Sequence, residues 1–367
     1  MVEWKKLGEV ANRNKGIPIT AGQMSELATP YGNVRVFAAG QTIADIDEKD
    51  LPSNCAHREP SVIVKSRGYV DFEFYENPFT HKNEMWSYSF KDKQTGKYVY
   101  YYLTTKKEFF RKKAKANSVK LPQLCVADTD NYLIPIPLLS EQQRIVSILD
   151  TFTSSIANLK QQIEERRRQY EYERDRLLDL EGEEGVEMKK LGEVAELVRG
   201  KVISKDYIRD NEGEYPVYSS QTANDGVLGC VSSYMFDGDY LTWTTDGAYA
   251  GTIFRRSGKF NITNVCGLID IKDERLDLCF LYYWLSLTAK SYVLEGMGNP
   301  KLMSNVASTI KIPILHISEQ QRIVSILDRF DTLCNDITYG LPAEIEARKK
   351  QYEYYRDKLL AFKEAGK

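Results

Sequence analysis

Histidine is nearly absent from this sequence. Only His57, His81 and His316 occur in 367 residues, none of them three or four positions from another, so a helical histidine metal site lacks its ligands. The six cysteines (Cys55, Cys125, Cys230, Cys266, Cys279, Cys334) form no C-x-x-C pair and no zinc-knuckle spacing, and read as free thiols of a reducing compartment. No apolar run reaches the ~18 residues of a membrane span. The opening MVEWKKLGEV has no hydrophobic signal core, and the expectation is a cytoplasmic protein. Chemistry-bearing motifs are missing too. There is no N/D-P-P-F/Y/W amino-methyltransferase signature, the nearest string being Asn77-Pro78-Phe79, and no G-x-x-x-x-G-K-S/T phosphate loop. G-x-S-x-G, H-E-x-x-H and a convincing nuclease D-x(n)-E-x-K cluster are also lacking. The chain is therefore expected to be non-catalytic, with no cofactor or metal of its own. An excess of one charge is absent as well: Lys plus Arg at 50 against Asp plus Glu at 52 leaves a formal net charge of -2. Any nucleic-acid surface must then be local.

What the sequence does have is an internal repeat. SEQQRIVSILD runs from Ser140 to Asp150 and recurs unchanged from Ser318 to Asp328. KKLGEV occurs at Lys5–Val10 and Lys189–Val194, and QYEYERDRLL (169–178) returns as QYEYYRDKLL (351–360). The anchors keep their order, so the chain is a tandem duplication of a variable block followed by a shared block. VFAAGQT (36–42) answers PVYSSQT (216–222), and IPIP at Ile134 answers IPIL at Ile312. A recent duplication with drifting loops is the plain alternative to two blocks that bind different things.

The first shared block carries apolar residues at alternating steps of three and four: Ile145, Leu149, Phe152, Ile156, Leu159, Ile163, then Tyr170 and Leu177. That seam predicts a helix packed lengthwise on another helix. Ser140 and Gln143 have capping-box spacing, and Gly182 and Gly185 end the helix. From about Glu141 to Leu180 it would extend roughly 60 Å, a spacer rod rather than a core helix. The second rod follows through Ile323, Leu327, Phe330 and Ile337 and resumes at Ile345, Tyr352 and Leu359. Its four extra residues beside Gly340, Leu341 and Pro342 predict a break. Self-association between chains is one use of such rods; antiparallel pairing of the two rods within one chain is the other. In the latter, Leu149, Ile156, Ile163, Tyr170 and Leu177 face Leu327, Ile345, Tyr352 and Leu359, while Arg166 and Glu173 in the seam could fix register.

Each variable block pairs β-rich runs (Ser61–Val64 with Val70–Tyr75; Tyr240–Thr245 with Gly251–Arg255), joined by turns at Ser66-Arg67-Gly68 and Asp246-Gly247. A helical stretch follows, so the fold class is α+β. Between Lys91 and Lys120 stand ten basic residues, Lys113 and Lys115 among them, with Tyr98, Tyr100, Tyr101 and Tyr102 interleaved. Lysines and tyrosine hydroxyls there suit a phosphate backbone. A solvated helix face over core tyrosines is the structural alternative. Base reading needs directional side chains at loop tips. The first block offers Gln41, Thr42, Lys65, Arg67, Lys82, Asn83, Asn117, Ser118 and Lys120. The second offers Ser219, Ser220, Gln221, Thr222, Asn224, Thr244, Thr245, Asp246, Arg255, Arg256, Asn264, Asn299 and Lys301.

With the paired SEQQRIVSILD segments after IPIP and IPIL, the GLPAEIEARKKQYEYYRDKLL run (340–360) and the KLGEV starts, the chain resembles the specificity subunits of type I restriction-modification systems. The resemblance covers essentially the whole length. It implies target-recognition domains at 1–139 and 188–317, helical spacers at 140–181 and 318–367 that pair as an antiparallel coiled coil about a pseudo-twofold axis, and a linker at 182–187. It further implies a bipartite, asymmetric double-stranded DNA site and two modification subunits carrying S-adenosylmethionine. Restriction subunits using ATP and Mg would complete the assembly. The first rod departs from the family's usual pattern in lacking the Gly-Leu-Pro-Ala-Glu stretch of the second, so the two docking faces differ there. The rivals are a protein-assembly adaptor built of duplicated modules that touches no DNA, and a self-contained modifying enzyme, which the missing motifs disfavour.

Overall fold

The computed structural model describes residues 2–118, 120–180, 182, 185–295, 298–335 and 339–363. Two compact units result, Met1–Gln161 together with Ala343–Lys367, and Gln162–Pro342. The boundaries cut through the helical spacers rather than at their ends. Each unit thus owns one variable block, the first half of the spacer that follows it and the second half of the other spacer.

In the first unit a four-stranded antiparallel sheet has the order Asn12–Lys15, Trp86–Ser89, Ser61–Lys65, Asp71–Tyr75. A three-stranded sheet orders Ile43–Ile46, Val34–Phe37 and Phe79–His81, its last pair parallel. In the second unit the first sheet returns as Ala195–Arg199, Cys266–Ile271, Tyr240–Thr244, Ile253–Arg256. The second sheet returns as Val227–Val231, Glu212–Tyr218 and Lys259–Ile262, again parallel at the last pair, with Phe236–Asp237 added at the edge. Both expected strand pairs form. Short antiparallel pairs, Glu3–Lys6 with Leu133–Ile136 and Glu187–Lys190 with Lys311–Ile314, close each block in the same register.

Internal registration explains why some residues recur where the sequence otherwise drifted. A Cβ on Gly16 would lie 2.4 Å from the carbonyl oxygens of His81 and Lys82, and one on Gly200 would lie 2.2 and 2.4 Å from those of Ile262 and Thr263. Both glycines admit the same close strand crossing.

The main core of the first unit packs Val62, Val64, Phe72, Trp86 and Tyr88 against Tyr98, Val99, Leu103 and Phe110 of the helices Lys93–Thr105 and Lys107–Asn117. Ile145, Val146 and Leu149 of the helix Leu139–Leu177 complete it, with Leu360 from the chain end. In the second unit Leu241, Trp243 and Ile269 pack against Phe280, Leu281 and Trp284 of Leu278–Thr288, closed by Ile323 and Leu327 and by Leu177, Leu178 and Leu180. The spacer is therefore a core helix over part of its length, which corrects the reading of a simple rod. Burying Ile145 and Leu149 completely is what fixes it to the sheet layer, at roughly 1.5–3 kcal/mol per side chain.

The helix Leu139–Leu177 has 39 residues and spans ~58 Å. It begins before Ser140, so the expected capping box does not form. Glu141 N–H instead bonds the Leu138 carbonyl, and the buried Gln142 side chain donates to Pro137 O at 2.9 Å. The second spacer is broken as expected: Ile317–Asn335 and Leu341–Leu359 are separate helices, with Gly340 outside both and Pro342 in the first turn of the latter. Ile337 lies outside the described residues. Of the seam, Leu149, Ile163, Leu177, Leu327 and Ile345 are buried and Ile156, Tyr170, Tyr352 and Leu359 partly so, whereas Arg166 is exposed. Within the first unit Phe152 stacks on Tyr355 at 5.4 Å; within the second Tyr170 lies 6.3 Å from Phe330. Partners thus descend along one spacer as residue numbers ascend along the other, the order of antiparallel pairing.

Candidate nucleic-acid interface

Backbone hydrogen bonds tie most of the loops singled out in the sequence into one edge on each unit. In the first, Lys82 N–H bonds Phe37 O at 2.9 Å, which sets the Lys82-Asn83 turn beside the hairpin tip where Gln41 and Thr42 are exposed. The Ser66 hydroxyl donates to Glu84 O, drawing in the Ser66-Arg67-Gly68 turn, whose Gly68 has φ +76°. Gly68 N–H bonds Pro122 O at 2.9 Å, and Leu124 N–H bonds Ser66 O at 2.8 Å, adding the segment that carries Lys120.

The second unit repeats the lacing. Thr263 N–H bonds Tyr218 O at 2.8 Å, and Thr245 N–H bonds Val265 O at 3.1 Å. Gly247 N–H bonds Pro300 O at 3.0 Å and Leu302 N–H bonds Thr245 O at 2.9 Å, the counterparts of the Gly68 and Leu124 bonds. Asn224, Asn264, Asn299 and Lys301 are exposed along this edge, and Ser219, Ser220, Gln221 and Thr222 are half-buried.

Side-chain geometry sorts the residues further. Arg67, Asn83, Lys115 and Lys120 are exposed, Ser118 half-buried. Lys65 is paired with Glu73 at 2.7 Å and Lys82 with Glu84 at 3.1 Å, while Asn117 donates to Asp128 at 2.7 Å and holds its own loop. Gln221 donates to Val227 O at 2.6 Å, and Asp246 lies 3.7 Å from the Lys301 ammonium. Thr244, Thr245 and Arg256 are buried and can act only through what they position. Arg256 reaches Asp225 at 2.6 Å beneath the hairpin tip and lies 3.7 Å from the Tyr218 ring centroid. Burial pushes the Tyr218 hydroxyl up from its ordinary pKa, with the Arg256 charge opposing. Arg255 points the other way, to Asp328 at 3.1 Å and over Tyr282, because successive strand residues face opposite sides.

The basic stretch is less open than its composition suggests. Lys93 meets Glu76, Lys97 meets Asp150, Lys107 meets Asp71, Arg111 meets Glu108 and Lys113 lies 3.8 Å from Asp128. Lys91, Lys112, Lys115 and Lys120 are exposed and make no ion pair among the described residues. Tyr98, Tyr101 and Tyr102 are buried and Tyr100 half-buried, which corrects the suggestion of phosphate-binding hydroxyls. Tyr98 donates to Pro135 O and Tyr101 to Asp150 instead. Two aromatic residues escaped the sequence reading: Tyr69, 64% exposed, and Tyr249, 60% exposed, each within two residues of a turn glycine. That adjacency was the available signal.

The Type I restriction modification DNA specificity domain matches residues 1–166 and again 183–347. The chain belongs to this family. The specificity subunit of the type I restriction enzyme EcoR124I/EcoR124II from Escherichia coli is 31% identical over 390 residues, 98% of this chain and 94% of that one. A putative type I specificity subunit of Mycoplasma pneumoniae is 39% identical over 251 residues, 66% of this chain and 92% of its own. The fold is shared with the type I restriction-modification S subunit from M. genitalium, at TM-score 0.58 and 18% identity over 100% of this chain and 97% of that one. As a specificity subunit the chain supplies DNA selectivity and is not itself an enzyme; catalysis lies in partner subunits. Its family carries no cofactor-binding signal. Among the described residues no helix is long and apolar enough to cross a membrane.

Proposed function

We propose that each unit reads one half of a bipartite, asymmetric double-stranded DNA site through its laced loop edge, and that the helical spacers set the unspecified gap. The observation that carries this reading is the repetition of one loop lacing with side chains that differ at equivalent positions: Arg67, Lys82 and Gln123 on one edge, Asp246, Thr263 and Lys301 on the other. A common frame with unlike tips is what two readers of unlike sequences require. The functional division follows the sequence, with readers at 1–139 and 188–317, spacers at 140–181 and 318–367, and a linker at 182–187.

The spacers dock two modification subunits, one per repeat. Supporting this, Ser140, Gln143, Arg144 and Ser147 are exposed and identical to the exposed Ser318, Gln321, Arg322 and Ser325. Buried positions of the variable blocks changed meanwhile: Val64 beside Trp86 corresponds to Trp243 beside Gly267. A merely recent duplication would have kept the core of the variable blocks at least as well as the surface of the shared segment. The modification subunits bring S-adenosylmethionine, restriction subunits bring ATP and Mg, and the assembly works in the cytoplasm.

Selection of bound duplexes from a random library, with the chain assembled on its modification subunit, tests the reading. Two short blocks at a fixed gap are expected. Enrichment of nothing by an intact complex would favour an adaptor that touches no DNA.

A further inference from the structure

The second unit holds an open cavity of about 390 Å³ whose walls include Val202, Ile203, Tyr207, Tyr234 and Met235, with Lys201 at its rim. Val202 is 80% exposed, and Tyr207 and Tyr234 are each 45% exposed. The first unit carries a buried apolar residue at the position of Lys201. Gly16 and Gly200 mark the same strand crossing, and the residues after them, Ile17 and Lys201, make the same parallel bridges, to Lys82 and Thr263. Ile17 is buried there with Ile19 and Met24, whereas Lys201 is exposed; Val202 and its counterpart Pro18 are both exposed.

The cavity's position joins it to the loop edge: Lys201 bridges Thr263, next to the exposed Asn264, whose carbonyl accepts a bond from Arg199 at 2.8 Å. Cations stand beside it, along with the exposed Asp206 and Asp210, which Arg209 pairs. Lys201 and Lys205 are exposed, and the Lys259 ammonium sits 4.5 Å from the Tyr234 ring centroid. Lys201 makes no ion pair among the described residues, so its ammonium remains available as a donor.

Resting on the half-site reading above, we infer that the second unit reads a thymine, with Val202 against its C5 methyl and Lys201 donating to its O4. Thymine alone offers a major-groove acceptor beside a methyl group. Cytosine presents an amino donor that an ammonium repels, and guanine presents acceptors without the methyl.

The test uses the assembled complex and its selected duplex, with uracil replacing thymine one position at a time in the second unit's half-site. One position should lose about 4-fold in affinity, the equivalent of ~0.8 kcal/mol for a buried methyl group. Val202→Ala, at so exposed a site, should fold normally and abolish that thymine-over-uracil difference. Lys201→Gln should weaken binding most at the same position. A half-site without thymine, uracil tolerance everywhere, or an unchanged difference in Val202→Ala overturns the inference while the two-block site stands. So does a Val202→Ala effect on subunit assembly without any change in base preference. Failure to select two blocks at all overturns the half-site reading itself.

Discussion

Tyr101 donates its hydroxyl to Asp150 at 2.6 Å, and Tyr283 donates to Asp328 at 2.6 Å. The two aspartates close the identical SEQQRIVSILD segments, so the shared helix is locked to each variable block by the same bond. A cation joins each pair, Lys97 in one unit and Arg255 in the other. Burial first, then the aspartate bond, pushes both tyrosine hydroxyls well above their ordinary pKa, which keeps the proton in place. Tyr101→Phe should cost about 1–2 kcal/mol of stability, and Tyr283→Phe a similar amount. Urea unfolding of the full chain measures this; a loss in only one of the two variants would mean the locks are not equivalent.

Gly267 faces the Trp243 indole across the strands, and a Cβ there would lie 2.2 Å from the ring. The first unit solves the same pair with Val64 and Trp86. Gly267→Ala should destabilise by about 1–3 kcal/mol or more through overpacking. Combining it with Trp243→Val should cost less than the sum of the single changes, because the clash disappears. Strict additivity in the double-mutant cycle would contradict this packing account.

His81 is fully buried beside His57, ring centroids 5.7 Å apart. Burial lowers its pKa to about 4. An unfolded histidine titrates near ~6.5, so stability is complete above that pH and declines as the pH falls from ~6.5 to about 4, by roughly 3 kcal/mol. His81→Ile, the residue at the equivalent position Ile262, should flatten this part of the melting-temperature profile. A profile parallel to that of the unchanged chain would remove His81 as its source.

Lys112 and Lys115 lie on the helix that leads into the Lys120 loop. Replacing both with alanine should weaken binding across DNA sequences and flatten its salt dependence by up to about two counterions. Changing Asn224, exposed at the tip of the second unit's hairpin, should alter preference in one half-site only. If the two changes behaved alike, the separation of backbone from base contacts would be wrong.

Much of this architecture was legible in the primary structure because repeats, turns and heptads are local signals. Gly68 and Gly247 marked their turns, and Gly340 with Pro342 marked the spacer break. What stayed hidden depends on pairing at long range. Nothing local says that Lys65 meets Glu73 across a strand pair, or that Arg256 is spent on Asp225 beneath the hairpin. The tyrosines after Lys97 looked like a phosphate surface because composition does not tell which side of a helix faces the sheet. Val202 went unnoticed for the opposite reason: one exposed valine is unremarkable until Tyr207 and the sequence-distant Tyr234 and Met235 are found lining one cavity with it.

The most direct test of two independent readers on one frame is a block exchange. Residues 7–136 are replaced by residues 191–314, with both joins next to strand pairs of identical register, Glu3 with Ile136 and Glu187 with Ile314. Duplex selection with the assembled complex should then return two identical blocks in inverted orientation, the second unit's half-site twice, at the original gap. A site still asymmetric, or a gap that changed with the readers, would contradict the account.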